Sequence, residues 1–122
     1  MGISIYYTVK RNEPLTTQET KTIDEIIEKY SVDQQIEQYM NSGQGLNWES
    51  FCIYNDLEDG IILEGSTKLP NNTAAASWIA IQHWCNLLTE MRNYLPNAVW
   101  QVSVEDHQIR WDEKRKYFDP TK

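Results

Sequence analysis

Positive charge is in short supply in this chain, which has 11 Lys and Arg against 18 Asp and Glu in 122 residues, a formal net charge of −7. Sequence-independent attraction to nucleic acid depends on Lys and Arg neutralising phosphates, so this balance speaks against a nucleic-acid partner. Long apolar runs are also missing. No stretch of about 18 uninterrupted apolar residues occurs, and MGISIYYTVKR has no basic region ahead of an apolar core. The expectation is therefore no membrane segment, no secretory leader and a cytoplasmic setting. Cysteine is scarce as well: Cys52 and Cys85 are too few and too far apart for a disulfide framework, and read as small apolar side chains in a reducing compartment.

What is present suits a folded core. The chain is 40% hydrophobic with five Trp and seven Tyr, and its length matches one domain. Residues 1–118 are expected to form a single α+β domain and 119–122 a loose tail. Ile3, Ile5, Tyr7 and Val9 alternate with Ser4, Tyr6, Thr8 and Lys10, the pattern of a half-buried strand. Thr16 with Glu19 matches a capping box, and Ile23, Ile26, Ile27 and Tyr30 follow at helical spacing, so a helix is expected from about Thr17 to Tyr30. Val32, Ile36, Tyr39 and Met40 fit a short helix before the flexible NSGQGLN. SFCIYN (50–55) and GIILEGST (60–67) read as a hairpin. A long helical pattern from about Ala74 to Tyr94 ends at LPN, because proline disfavours helix in the residue before it. VWQVSVE (99–105) alternates again, and DHQIRW is expected to return as a short fifth strand carrying Ile109 and Trp111.

Strand, helix, strand, strand, helix, strand is the order of the ferredoxin-like βαββαβ sandwich, and the chain resembles that architecture: an antiparallel sheet of four or five strands with two helices on one face. TVKRNEPLTT before the first helix and STKLPNNT before the second both pass through Lys and Pro to a Thr. An architecture of this kind hosts unrelated activities and names none.

The aromatic-rich SWIAIQHWCNLL (77–88) is a core face rather than a reactive site. At about 100° per residue, Trp78, Ile81, Trp84, Cys85, Leu88, Met91 and Leu95 share one broad arc. With Ile5, Tyr7, Ile23, Ile27, Trp100 and Val102, the first five of these are the expected core. His83 belongs to the opposite, solvated side near Glu90. His83 and Cys85 point about 200° apart and cannot share a metal. Glu105, Asp106 and His107, with Asp112 and Glu113 further on, are the best remaining candidates for ligating a divalent ion or exchanging protons. Their spacing matches no metal motif, and an Asp-His pair between alternating segments is also what a tight turn uses. NSGQG lacks the lysine of a phosphate loop, Lys10 and Arg11 are an ordinary basic pair at a strand end, and Cys52 is expected on the outer sheet face near Tyr54. Neither a metal nor a cofactor is expected.

Two functions stand side by side. The first is a non-catalytic protein-binding module whose recognition surface is the sheet face away from the helices, carrying Tyr6, Lys10, Tyr54, Glu64 and Gln101, with Thr8 and Ser103 on the same face. Its partner is another protein, basic in the simplest case, such as a toxin that an acidic protein neutralises. The second is a small enzyme or ligand-binding domain using that face or the 105–113 segment, as a homodimer in which two sheets enclose a pocket.

Overall fold

A computed structural model describes residues 3–121. The strand expected first runs Ser4–Lys10 (β1) and lies inside a four-stranded antiparallel sheet, between Ile61–Lys68 (β2) and Val99–Val104 (β3). A two-residue strand, His107–Gln108 (β4), pairs with the outer side of β3. Tyr7 sits opposite Gly65 on one side and Val102 on the other. Ile5, Tyr7 and Val9 are fully buried and their neighbours Leu63, Trp100 and Val102 nearly so, while Tyr6 and Gln101 are exposed. One sheet face is therefore covered and the other is open to water, as period-two alternation requires. The covering layer includes Thr17–Lys29 (α1), which contributes Ile23 and Ile26, and Ala76–Tyr94 (α3). Asp33–Ser42 (α2) lies between α1 and β2 in the chain and ends at Gly43, whose φ of 71° is the left-handed conformation that glycine adopts without a Cβ penalty.

Local chemistry explains the start of α1. Thr16 Oγ1 accepts from the Glu19 amide at 3.0 Å, and Glu19 Oε1 accepts from the Thr16 amide at 2.9 Å, which satisfies two donors at the helix start. Glu19 is also gripped through both oxygens by Arg11, at 2.7 and 3.1 Å. The Arg11 hydrogen bonds, helped by the Thr16 amide, hold its carboxyl down to about 2.

The buried arc of α3 is narrower than the sequence implies. Ala76, Ala80, Trp84, Leu87, Leu88 and Met91 are buried and lie within about 80° of Trp84 on a helical projection. Trp78 is about 120° away on that projection and 42% exposed, so it is not core. Ile81 and Ile27, also expected in the core, are only partly buried. Cys85 lies off the arc yet is buried, because the C-terminal residues cover that flank.

Those C-terminal residues depart from expectation. The anticipated fifth strand divides at Ile109: its amide still bonds to the Val102 carbonyl at 2.8 Å, but Arg110–Asp112 (β5) leaves the sheet and pairs instead with Tyr117–Asp119 (β6). Nor does a loose tail begin at residue 119. Asp119 is 5% exposed and closes β6, and Phe118 is 2% exposed, packing its ring against Trp111 and Trp100. The Phe118 amide donates to Thr89 Oγ1 on α3. Burial of the Phe118 ring, with Arg92 of α3 stacked over Trp111 and Asn93 donating to the Lys116 carbonyl, docks this hairpin on the helix. Lys122 lies outside the described residues.

The expected hairpin of 50–55 with β2 does not form. Phe51 stacks on Tyr7, with centroids 4.3 Å apart, and packs against Trp84. The Cys52 amide lies near the Tyr7 and Thr67 hydroxyls, and its carbonyl accepts from Tyr7. With its backbone groups turned to side chains on the covered side, Cys52 makes no ladder. Two residues later the Tyr54 amide reaches the Glu64 carbonyl at 2.8 Å, so the segment wraps the free edge of β2 as a strap.

Candidate functional site

The open face of the four-stranded sheet brings together most of the recognition residues expected there. Register builds it in rows. Ser66, Tyr6 and Ser103 lie side by side across β2, β1 and β3, and Glu64, Thr8 and Gln101 form the next row. Lys10, beside Val99, extends it past a register shift at Val9/Lys10. Tyr54 comes from the strap: its hydroxyl is 2.7 Å from Ser66 Oγ, so it flanks the same serine that Tyr6 pairs with. Tyr6 and Tyr54 are each 43% exposed. Thr8 donates to Glu64 at 3.2 Å, which leaves Glu64 half-buried in the face.

Ser66 also belongs to this surface and was not among the expected residues, whereas alternation places Thr8 and Ser103 there. Ser66 was readable, since it is two positions from Glu64 and so shares its face. Tyr54 reaches the face by a route that periodicity did not describe, around the strand edge rather than along a strand. Cys52, expected beside it on the outer face, is exposed, with its backbone groups turned to Tyr7 and Thr67 on the covered side.

The face is poor in acid. Among its ionisable groups Glu64 is the single carboxylate beside Lys10 and Lys68, whereas the chain as a whole is strongly acidic. Asp24, Glu25 and Glu28 are on α1, and Glu49, Asp56, Glu58 and Asp59 in the stretch before β2.

The alternative candidates do not converge. Glu105 and Asp106 form the two-residue turn between β3 and β4, with Glu105 at a φ of 51°, and His107 begins β4. Asp112 and Glu113 belong to the separate β5–β6 hairpin, where Asp112 accepts from the Lys114 and Arg115 amides and Glu113 pairs with Lys116. No group of three or more His, Cys, Asp or Glu side chains able to hold a metal ion occurs among the described residues.

His83 is not simply solvated, as its helical position suggested. Its Nε2 is 2.7 Å from the Tyr30 carbonyl, and its ring meets Tyr30, Trp48 and Trp84 edge-on. A carbonyl only accepts, so Nε2 carries the proton. The residue pins the C-terminus of α1 to α3. Cys85 is inert as a nucleophile: burial, with a smaller contribution from Asp119, pushes its thiol up to about 12. Arg11 spends its guanidinium on Glu19 and on the carbonyls of Glu13 and Pro14, so it is not poised to hold an anion.

No helix among the described residues is long and apolar enough to cross a membrane. No protein-family model, curated protein or solved structure matches the chain.

Proposed function

We propose that the protein is a non-catalytic binding module that engages another protein through the open face of its four-stranded sheet. The observation that carries this reading is the pairing of Tyr6 and Tyr54 around Ser66 on a face that no helix covers. Tyrosine combines a large apolar ring with a hydroxyl that stays hydrogen-bonded, which suits it to interfaces. The surrounding Thr8, Ser103 and Gln101 offer short polar contacts of the kind found at an interface rim.

A basic partner fits this arrangement through long-range attraction. The acidic side chains outside the face give the chain a negative field that speeds encounter with a cationic protein, and the contact itself rests on aromatic and neutral polar groups. We further infer a ferredoxin-like relationship in which the strap at 50–55 takes the place of an edge strand, and a cytoplasmic setting in keeping with two free cysteines.

The test is capture with the tagged full chain, followed by titration of the recovered partner. Tyr6→Ala combined with Tyr54→Ala should weaken binding at least about tenfold, roughly 1.4 kcal/mol, with an unchanged circular dichroism spectrum. Unchanged affinity in the folded double variant overturns the assignment. A second copy of the chain as the captured species makes the module a homodimer.

A further inference from the structure

The charge of this chain is unevenly distributed. Residues 1–90 hold 13 of the 18 acidic side chains and only 5 of the 11 basic ones, so the last 32 residues carry the majority of the cations. Three of them, Arg110, Lys114 and Arg115, line an open cleft of about 700 Å³ along the β5–β6 hairpin.

Three carboxylates share the cleft, but each is already engaged. Asp112 Oδ1 accepts from the Lys114 and Arg115 amides, both at 3.0 Å, and fixes the hairpin turn. Asp119 is buried and accepts from the amide and hydroxyl of Thr121 and from the Tyr117 hydroxyl. Glu113 is paired with Lys116 at 2.6 Å. Arg110, Lys114 and Arg115, in contrast, make no ion pair or side-chain hydrogen bond among the described residues. The groups left available in the cleft are therefore cationic donors. Trp111 forms part of the wall and is held in place by the Arg92 guanidinium, 4.3 Å from its ring centroid.

We propose that this cleft binds a small organic phosphate monoester. Guanidinium groups match the paired oxygens of a phosphate, and a dianion is balanced by two arginines with Lys114 as a third donor. The cleft has room for more than the phosphate, and the aromatic walls of Trp111 and Tyr117 suit a planar apolar substituent. Repulsion from the acidic remainder of the chain is screened beyond about 8 to 10 Å at physiological ionic strength, and around the cleft itself Lys116 on Glu113 and Arg92 over Trp111 join Arg110, Lys114 and Arg115, so that five cations stand against three carboxylates. None of these residues lies on the sheet face proposed to bind protein, so either assignment can fail alone.

The experiment is titration of the ¹⁵N-labelled full chain, in phosphate-free buffer, with phenyl phosphate up to about 20 mM. Saturable amide shifts confined to residues 110–121, with a Kd in the millimolar range or tighter, are expected. Binding should weaken at least about tenfold in Arg110→Gln with Arg115→Gln, exposed positions whose replacement leaves the circular dichroism spectrum intact. Benzyl alcohol, which keeps the ring and lacks the charge, should give no saturable shift. Inorganic phosphate arms the comparison further: weaker binding than phenyl phosphate supports the aromatic contribution, and equal binding overturns it. Absence of saturation, shifts centred elsewhere, or an unchanged Kd in the double variant overturns the site.

Discussion

The carbonyl oxygen of Cys52 lies over Gly65 in the space that any other residue would fill with its Cβ, and the same Cβ would come within 2.7 Å of the Tyr7 ring. Glycine is needed here for close approach rather than for an unusual dihedral. Gly65→Ala should therefore destabilise the fold by about 3 kcal/mol, at the upper end of typical overpacking, because the nearest obstacle is backbone. Urea denaturation measures it. A midpoint within error of the parent would mean that the strap moves aside without cost.

Tyr7 holds the strap from beneath. Its hydroxyl donates to the Cys52 carbonyl, lies 3.0 Å from Thr67 Oγ1 and 3.2 Å from the Cys52 amide, and its phenol is raised far above the ordinary tyrosine range, chiefly by burial. Tyr7→Phe keeps the ring on Phe51 and strands those groups. A loss of about 2 kcal/mol is expected, with faster hydrogen exchange at the Cys52 amide. Slower or equal exchange there would show that the hydroxyl does not secure the strap.

Trp84 and Trp78 make a matched pair of tests on one helix. Trp84 is 1% exposed and Trp78 is 42% exposed. Trp84→Ala should cost about 3 to 5 kcal/mol and Trp78→Ala less than about 1 kcal/mol, as cavity formation and surface truncation respectively. Similar thermal shifts for the two variants would contradict the packing.

Glu105 holds a φ of 51° in a two-residue turn. Left-handed backbone costs an L-residue roughly 1 to 2 kcal/mol, part of which glycine recovers at the expense of a more flexible unfolded chain. Glu105→Gly should be neutral or stabilising by up to about 1 kcal/mol, and Glu105→Val destabilising by about 1 to 2 kcal/mol, since β-branching suits this region least. Chemical denaturation of the two variants should move the midpoint in opposite directions or leave only the glycine variant unchanged.

The Arg11–Glu19 contact adds a pH dependence. Because the folded carboxyl is held down to about 2 against an ordinary value of 4.5, its contribution is present above about pH 5 and fades as the pH falls toward 2. The stability difference between parent and Glu19→Gln should shrink across that interval. A difference that stays constant would mean that the carboxylate charge contributes nothing and that only the neutral cap matters.

The elements with a clean period came directly from the chain. β1, α1, α3 and β3 follow from alternation, a capping box and a proline stop, since those signals are local and each residue's neighbours in sequence are its neighbours in the element. Alternation likewise assigned Tyr6, Glu64 and Gln101 to one face before any partner strand was known. Tertiary structure decided the rest. SFCIYN has the composition of a strand, but Tyr7 and Thr67, distant in sequence, offer the Cys52 backbone better-placed partners than a ladder does, and Gly65 leaves room for it, which converts the segment into a strap that carries Tyr54 around an edge. KRKYFD looks polar, and only Trp100 of β3 and Trp111 of β5 give the Phe118 ring somewhere to be buried. Trp78 and Trp84 share a helix and a chemistry, and which of them is core depends on what packs against each side. Periodicity specifies directions relative to an element's own axis. It carries no information about what lies in those directions, and burial is settled by that.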